Sequence, residues 1–299
     1  MEGQVRAFLA NLESQLAYSP STRLAYDNDL RCFVDYLERA LERPPLLEDF
    51  NSDHIAGFLL SERQAGRRPS TLLRRRASLR RFASFLSQEY PGGSIAFEAN
   101  SPLIDEAISG ASPAQQPHYL SQDQIESLWT VLEASQRPRA RRDQAILALL
   151  LESGLTVGTL IALDLSDLDL PAERLRLSLE SNQDFWLSLS KAAVSLQRYL
   201  KEGRPELNYH PGEPALFISQ TGGRMSRQGV WQVLRQWGNR ARLPVTLSPR
   251  LARHTAAIKL SKAGRSLAEI QTLLGHSNPL STQALLRRLS VASQAEIQT

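Results

Sequence analysis

The residues best suited to chemistry lie towards the C-terminus, where arginines and histidines recur between apolar helical segments. Arg250 and Arg253 stand three positions apart, His254 follows directly, and His276 lies further along the chain. Guanidinium groups bind phosphate oxygens through paired hydrogen bonds, and an imidazole can move a proton. An arginine at position 253 therefore suits a phosphate contact. The alternative is structural: Arg253 pairs with a buried acid, and the histidines satisfy hydrogen bonds in the core.

A nucleophile is harder to find in this region than a group that binds phosphate. Beyond Tyr209 the chain contains no tyrosine, and the nearby hydroxyl groups belong to Ser281, Thr282 and Ser290. Such a hydroxyl attacks only when a base activates it, and the sequence shows no obvious base for these three. The region therefore favours anion binding over bond cleavage.

A second cationic segment, residues 63–81, contains eight arginines and no acid. It includes the start of a helix, opened by Pro69-Ser70-Thr71, whose apolar stripe would face a core while its arginines face a phosphate backbone. An ordinary solvated face is the alternative, but the missing countercharges argue against it. The predicted nucleic-acid contacts are Arg67, Arg68, Arg74, Arg75, Arg76, Arg80, Arg81, Arg250, Arg253 and His276.

Composition permits nucleic-acid binding without establishing it. The net charge is only +4, yet 31 of the 35 cationic residues are arginine, which suits phosphate and guanine but also follows from high-GC codon usage. The single cysteine, Cys32, excludes an internal disulfide and fits a reducing compartment. Because neither a signal peptide nor a membrane span is evident, we expect a soluble cytoplasmic protein.

The pattern of elements predicts two domains joined by a linker. Residues 1–97 show helical spacing of apolar residues, and residues 98–117 are rich in proline, glycine and serine. Residues 118–299 are mostly helical, with alternating leucines between 173 and 190 that indicate two strands. The fold class is therefore mainly α, with a small β-sheet or hairpin in the second domain.

Several motifs, in their order and spacing, resemble the tyrosine recombinase family of phage integrases and Xer proteins. The most informative are Tyr18-Ser19-Pro20-Ser21-Thr22, Pro69-Ser70-Thr71, His118-Tyr119-Leu120-Ser121, Gly154-Leu155 and Leu274-Gly275-His276. The resemblance implies a helical core-binding (SAM-like) domain over residues 1–97. It further implies an α+β catalytic-type domain over residues 118–299, the two holding opposite sides of a DNA duplex without metal or cofactor.

The resemblance also implies six catalytic positions, of which this chain retains two. In that family a tyrosine attacks DNA, arginines stabilise the phosphate, a histidine assists proton transfer and a lysine on a hairpin protonates the leaving group. Arg253 and His276 match. The other four positions hold Thr156 for the first arginine, Glu180 or Gln183 for the lysine, Arg250 for a histidine and Leu285 for the tyrosine. The acid expected three residues after the first arginine is replaced by Thr159.

We therefore expect a DNA-binding member of this family that does not cut DNA, acting as an accessory, regulatory or architectural protein. Its expected partner is double-stranded DNA, with an active recombinase or a second copy of the chain beside it. One alternative is a working recombinase with unusual catalytic residues. Another is a protein-interaction module that has lost DNA binding, against which the arginines of residues 63–81 argue. Leu285 is expected to pack among Leu280, Leu286 and Leu289.

Overall fold

The chain divides into two compact units in a computed structural model. The units span Met1–Gln115 and Gln116–Thr299. The structure describes residues 1–14, 18, 20–90, 101–108, 119–135, 137–178, 184–207, 210, 212–276 and 278–297. Among these, no helix is both long and apolar enough to span a membrane.

The described part of the first unit is helical. Its helices are α1 (Glu2–Ser14), α2 (Pro20–Leu41), α3 (Ser52–Gln64), α4 (Pro69–Glu89) and α5 (Pro102–Ala107). The predicted apolar stripe of α4 is buried, with Leu72, Leu79, Phe82 and Leu86 at most 2% exposed. Phe82 stacks edge-on against Phe8 of α1, at 5.4 Å between ring centroids. The helical spacing read from the sequence thus identified the face of α4 that builds the core.

Helix α5 lies within the segment that the sequence predicts to be a linker. Its Ile104 is 1% exposed and joins the core of the first unit, where α5 packs against α3. The linker prediction is therefore wrong for residues 101–108. Proline and serine at Ser101-Pro102 mark a helix start here, since proline is well tolerated in the first turn. The rest of the predicted linker, residues 98–100 and 109–117, lies outside the described residues.

The second unit surrounds one apolar helix. Its elements are α6 (Gln122–Glu133), α7 (Pro138–Ser153), α8 (Val157–Ala162), β1 (Leu168–Asp169), β2 (Arg174–Ser178), β3 (Asp184–Ser188), α9 (Lys191–Arg198), α10 (Arg227–Arg240), α11 (Pro249–Lys262), α12 (Leu267–Leu274) and α13 (Pro279–Ile297). Every residue of α7 from Ala145 to Leu151 is at most 4% exposed. A helix that is apolar on all sides belongs in a core, and α7 is accordingly packed by α9 and α11.

The described strands form one antiparallel sheet in the order β1-β2-β3. Leu175 pairs with Leu187, and Leu177 pairs with Phe185. The inward-facing leucines of β2 are buried, which confirms the strands predicted from the alternating leucines. Their connecting turn lies outside the described residues.

Candidate nucleic-acid interface

A cavity of about 640 Å³ in the second unit collects most of the predicted catalytic positions. It is lined by Leu155, Thr156, Val157, Pro249, Arg250, Arg253, His254, His276, Ser281, Ala284, Leu285 and Arg288. Three arginines and two histidines line the cavity, and none of its lining residues is acidic. Such a surface attracts anions.

The turn between α7 and α8 places Thr156 at the cavity. Gly154 ends α7 with φ of 69°, in the left-handed region that favours glycine. Thr156 then caps α8: its Oγ1 accepts from the backbone N of Thr159 at 3.0 Å and lies 2.9 Å from Thr159 Oγ1. The two threonines therefore satisfy each other. Where the resemblance implies a phosphate-binding arginine and an acid, the helix start is a local cap without charge.

Arg253 occupies the second arginine position on α11 and is held by the adjoining helix. Its Nη2 donates to the backbone carbonyl of Leu274, at the end of α12. Burial lowers the pKa of the Arg253 guanidinium below its usual range. No acid among the described residues forms an ion pair with it, so the predicted structural alternative, pairing with a buried acid, is wrong. Because a carbonyl leaves the charge unneutralised, Arg253 remains available to an anion in the cavity.

His276 follows the left-handed Gly275 and is fixed on two sides. Gln271 Nε2 donates to its carbonyl at 2.9 Å, and its Nδ1 lies 2.9 Å from Thr282 Oγ1. Burial, and next the charge of Arg253, lower the pKa of the His276 imidazole. The neutral ring is therefore favoured at pH 7. His254, by contrast, is buried with only 7% of its surface exposed.

Two hydroxyl groups near this site differ in their access to a substrate. The sequence showed no obvious base for Thr282, yet the structure places the His276 imidazole beside its hydroxyl. That expectation was wrong, but Thr282 is fully buried and cannot reach a substrate. Ser281 lines the cavity and is exposed. Its exposure makes it the candidate nucleophile that an experiment must address.

Leu285 packs against apolar neighbours at the position where the resemblance implies a tyrosine. It is 6% exposed and belongs to a cluster with Ala257, Leu274 and Leu289. Leu286 packs on the same cluster, whereas Leu280 is 67% exposed and does not belong to it. The packing role predicted for Leu285 agrees with this arrangement. The prediction that Leu280 is one of its packing neighbours was wrong, because Leu280 lies in the first turn of α13 and faces solvent.

Two arginines near the cavity were missed by sequence reasoning. Arg288 lies one helical turn after Leu285 and lines the cavity, so helical spacing from position 285 could have indicated it. Arg227, the first residue of α10, packs on α8: a Cβ built on Gly158 would lie 3.1 Å from its Nη2 and 3.5 Å from Thr156 Oγ1. No local sequence signal connects Arg227 with Gly158, since the two residues lie in separate segments.

The predicted arginine surface of the first unit is smaller than the sequence suggested. Arg75 is 6% exposed, forms an ion pair with Glu62, and lies 3.8 Å from Asp29. Arg74 also binds Asp29, and Arg76 binds Asp105 at 2.8 Å. The expectation that these arginines lack countercharges is therefore wrong, because acids from α2, α3 and α5 supply them.

The buried position of Arg75 corrects its assignment as a DNA contact. Its guanidinium lies over the ring of Phe58, 5.3 Å from the centroid, inside the helical core. Arg67 is exposed but pairs with Glu62 at 3.2 Å. The remaining predicted contacts, Arg68, Arg80 and Arg81, are exposed, and no ion pair with an acid is found for them among the described residues.

Three residues considered from the sequence lie outside the described part of the chain. They are Glu180 and Gln183, which span the position of the hairpin lysine, and Tyr209. Within the described part, no group of three or more histidine, cysteine or acidic residues could hold a metal ion.

Comparison with known families places the two units in one class of protein. The family described as Phage integrase matches residues 118–288, and the Phage integrase N-terminal SAM-like domain matches residues 5–90. Together with the helical units and the arrangement of Arg253 and His276, these matches define a protein of the tyrosine recombinase type. The chain belongs to the phage integrase family.

Individual relatives resemble the chain over nearly its full length. Tyrosine recombinase XerC of Herpetosiphon aurantiacus is 30% identical over 95% of this chain and 90% of its own. Tyrosine recombinase XerD of Listeria innocua is 31% identical over 95% of this chain and 93% of its own. The family assignment predicted from the motifs is thereby confirmed.

Solved structures confirm the fold. A XerH site-specific recombinase bound to a palindromic difH substrate, in a post-cleavage complex, matches with a TM-score of 0.70 at 18% identity, over 91% of this chain and 79% of that one. A lambda integrase dimer bound to a COC′ core site matches with a TM-score of 0.66 at 15% identity, over 96% and 95%. The mainly α fold class with a small sheet is as predicted.

Proposed function

We propose that this protein binds duplex DNA through both units and does not cut it. The observation that carries the proposal is the lining of the cavity around Thr156. Arg250, Arg253 and Arg288 supply positive charge there without an acid, while the position of the attacking tyrosine is filled by the packed Leu285. Such a site suits a phosphate group but offers no tyrosine to attack it.

The exposed face of α10 supports DNA binding by the second unit. Helix α10 contains no acidic residue. Its exposed side chains are those that hydrogen-bond to base edges and phosphates, together with one tryptophan: Arg227, Gln228, Trp231, Gln232, Arg235, Gln236, Asn239 and Arg240. XerH and lambda integrase, whose folds are similar, are described as bound to a palindromic difH substrate and to a COC′ core site.

Two catalytic groups that the resemblance implies are replaced, which supports the absence of DNA cleavage. The resemblance requires two arginines and a base around the scissile phosphate, and Thr156 is a neutral cap instead. Arg250 keeps a positive charge where the resemblance implies a histidine, but a guanidinium does not accept protons at neutral pH. The protein would hold a phosphate without activating it. We propose an accessory, regulatory or architectural role in DNA recombination on this basis.

A suicide duplex separates this function from a recombinase with unusual residues. The full chain is incubated with duplexes nicked near candidate cleavage points, and covalent adducts are sought on denaturing gels beside an active Xer recombinase. We expect retarded duplex on native gels without a covalent adduct. An adduct that disappears in the Ser281→Ala variant would overturn the proposed lack of cleavage, because Ser281 is the exposed hydroxyl of the cavity. Absence of any duplex binding would overturn the DNA-binding part.

A further inference from the structure

A second cationic cavity lies in the same unit, away from the predicted catalytic positions. It measures about 400 Å³ and lies between the start of α7, the second half of α10 and the loop around Ser219 and Thr221. Arg137, Arg139 and Arg240 line it. All three are exposed, and none is ion-paired with an acid among the described residues. No sequence motif pointed to this group, because its members come from two distant helices.

The one acid in the wall of this cavity is already fully engaged. Asp143 Oδ1 accepts from Nε and Nη2 of Arg142 at 3.0 and 2.9 Å, and Oδ2 accepts from Trp237 Nε1 at 2.8 Å. Asp143 and Arg142 are both at most 5% exposed. The charges of Asp143 and Arg142 therefore cancel each other, and Asp143 does not compensate the charge of the three exposed arginines.

The local electrostatics of α7 also point to an anionic ligand. Helix N-termini carry partial positive charge and favour acidic residues in their first turn, yet α7 has none there. Arg137 caps the helix and Arg139 stands in its first turn. Cations at this end repel the helix dipole and one another. A bound anion would replace this repulsion by attraction, because its phosphate oxygens could accept hydrogen bonds from the arginines at the same time.

The cavity is also partly organised for such a ligand. The guanidinium of Arg240 lies over the Trp237 ring, 4.7 Å from its centroid, and Trp237 is fixed by its hydrogen bond to Asp143. A stacked arginine loses less conformational freedom when it binds phosphate. Gln232 and Gln236 of α10, and Thr221 of the loop, add uncharged hydrogen-bonding groups to the rim.

We infer that this second cavity binds a phosphate group of the DNA backbone, at a place separate from the cavity around Thr156. The inference rests on the proposed DNA binding and extends it. Helix α10 would then be held at both ends: Arg227 at its start lies beside Gly158 of α8, and Arg240 at its end lines the second cavity. Contacts of this kind fix the position of a protein on DNA rather than read its sequence.

The test compares the full chain with a variant in which Arg137, Arg139 and Arg240 are all replaced by glutamine. Its control replaces Arg198, Lys201 and Lys262, three exposed cations of the same unit outside both cavities, by glutamine. Duplex affinity is measured by fluorescence anisotropy between about 50 and 200 mM salt, where each phosphate contact contributes about 0.9 to the slope of log affinity against log salt. Thermal unfolding verifies that each variant is folded.

We expect the cavity variant to lose about 0.9 of the salt slope, the value for one phosphate contact, and about tenfold in affinity at low salt, while the control leaves the slope unchanged. Equal slopes for the two variants, with wild type binding duplex normally, would overturn the second cavity and leave the proposed function intact. Failure of the wild-type protein to bind duplex DNA would overturn both the second cavity as a phosphate site and the proposed function.

A second arm separates a backbone phosphate from a free anion. Thermal stability is recorded with inorganic phosphate and with a dinucleotide, for wild type and the cavity variant. Stabilisation of wild type alone by free phosphate, with duplex affinity equal in the two proteins, would show a small-anion site and overturn the inference. If free phosphate stabilises the wild-type protein weakly or not at all, and the cavity variant has lost part of the salt slope, the result supports a contact that requires the DNA backbone.

Discussion

At the scale of single residues, Leu285 is part of the core at the position where the resemblance implies a tyrosine. Its neighbours Ala257, Leu274 and Leu289 are apolar and buried, so a side chain here is stabilised by burial and not by contact with a ligand. Restoring a tyrosine would add a hydroxyl at the cavity wall without restoring the arginine that Thr156 replaces. Accordingly, the single change Leu285→Tyr should produce no covalent adduct on a nicked duplex.

Truncating Leu285 should cost stability. Leu285→Ala is expected to lower the free energy of unfolding by about 2 to 4 kcal/mol, because it removes a buried side chain and leaves a cavity. The matched control is Leu280→Ala on the same helix, where the side chain is 67% exposed and the change should be within about 0.5 kcal/mol. Urea denaturation measures both. A similar loss in the two variants would contradict the packing role of Leu285.

The lowered pKa of His276 predicts a pH-dependent affinity for DNA. Burial and Arg253 favour the neutral ring in the free protein, whereas an adjacent phosphate favours the protonated ring and so raises the pKa in the complex. DNA binding should therefore take up a proton. Affinity should rise as the pH falls below the pKa of the bound state, and level off below that of the free protein.

The measurement is duplex affinity between about pH 8 and pH 5.5 at constant salt, for wild type and His276→Gln. The glutamine variant keeps hydrogen-bonding groups but cannot titrate, so it should lose this part of the pH dependence. An unchanged pH profile in His276→Gln would show that His276 does not meet the phosphate.

At the scale of elements, the turn from α7 to α8 depends on Gly154. Its φ of 69° is strained for other residues, and a Cβ would lie 3.0 Å from Leu274 Cδ2 and 3.1 Å from Ala256 Cβ. Gly154→Ala should lower stability by the strain of about 1 to 2 kcal/mol and further by these contacts. Gly264→Ala is the control, since φ there is 76° but nothing lies within 4 Å. If thermal denaturation shows the same loss of stability in the two variants, the close contacts of residue 154 with α11 and α12 do not contribute to the loss.

The helices of the first unit are joined by the buried carboxylate of Asp29. It is 1% exposed, binds Arg74 and accepts from Ser78 Oγ at 2.7 Å. Asp29→Ala should lower the free energy of unfolding by about 1 to 3 kcal/mol, because it removes the acceptor of the buried Ser78 hydroxyl and one of the two acids beside Arg75. Asp27→Ala removes a surface pair with Arg31 and should cost at most about 1 kcal/mol. Comparable chemical denaturation midpoints for the two variants would refute this role of Asp29.

At the scale of the whole molecule, the net charge is only +4, so the proposed DNA binding would depend on locally exposed arginines. In the first unit, Arg68, Arg80 and Arg81 are exposed along α4. Replacing these three by glutamine should reduce the salt slope of duplex binding by about 2 to 3 and leave the thermal stability unchanged. The control replaces Arg6, Arg31 and Arg39, which are exposed on α1 and α2. An equal effect of both variants would indicate nonspecific charge and not a surface on α4.

The sequence by itself determined the family and the fold class, and it predicted which of the catalytic side chains implied by the resemblance are replaced. These depend on local signals: the periodicity of Leu72, Leu79 and Leu86 defines a buried face, and fixed spacing from Leu274-Gly275-His276 identifies Leu285. Helical period and motif spacing are properties of neighbouring residues, so they can be read without coordinates. The two predicted strands were found in the same way, from alternating leucines.

Only the tertiary structure decided which charges are available. The sequence of residues 63–81 contains no acid, but folding brings Asp29, 45 positions away, against Arg74 and buries Arg75 beside Glu62. It also buries Thr282 behind His276 and gathers Arg137, Arg139 and Arg240 around one cavity. An electrostatic interaction depends on distance in space and on burial, and neither follows from order along the chain. The arginines that can meet a phosphate are therefore those that the fold leaves exposed and unpaired with an acid.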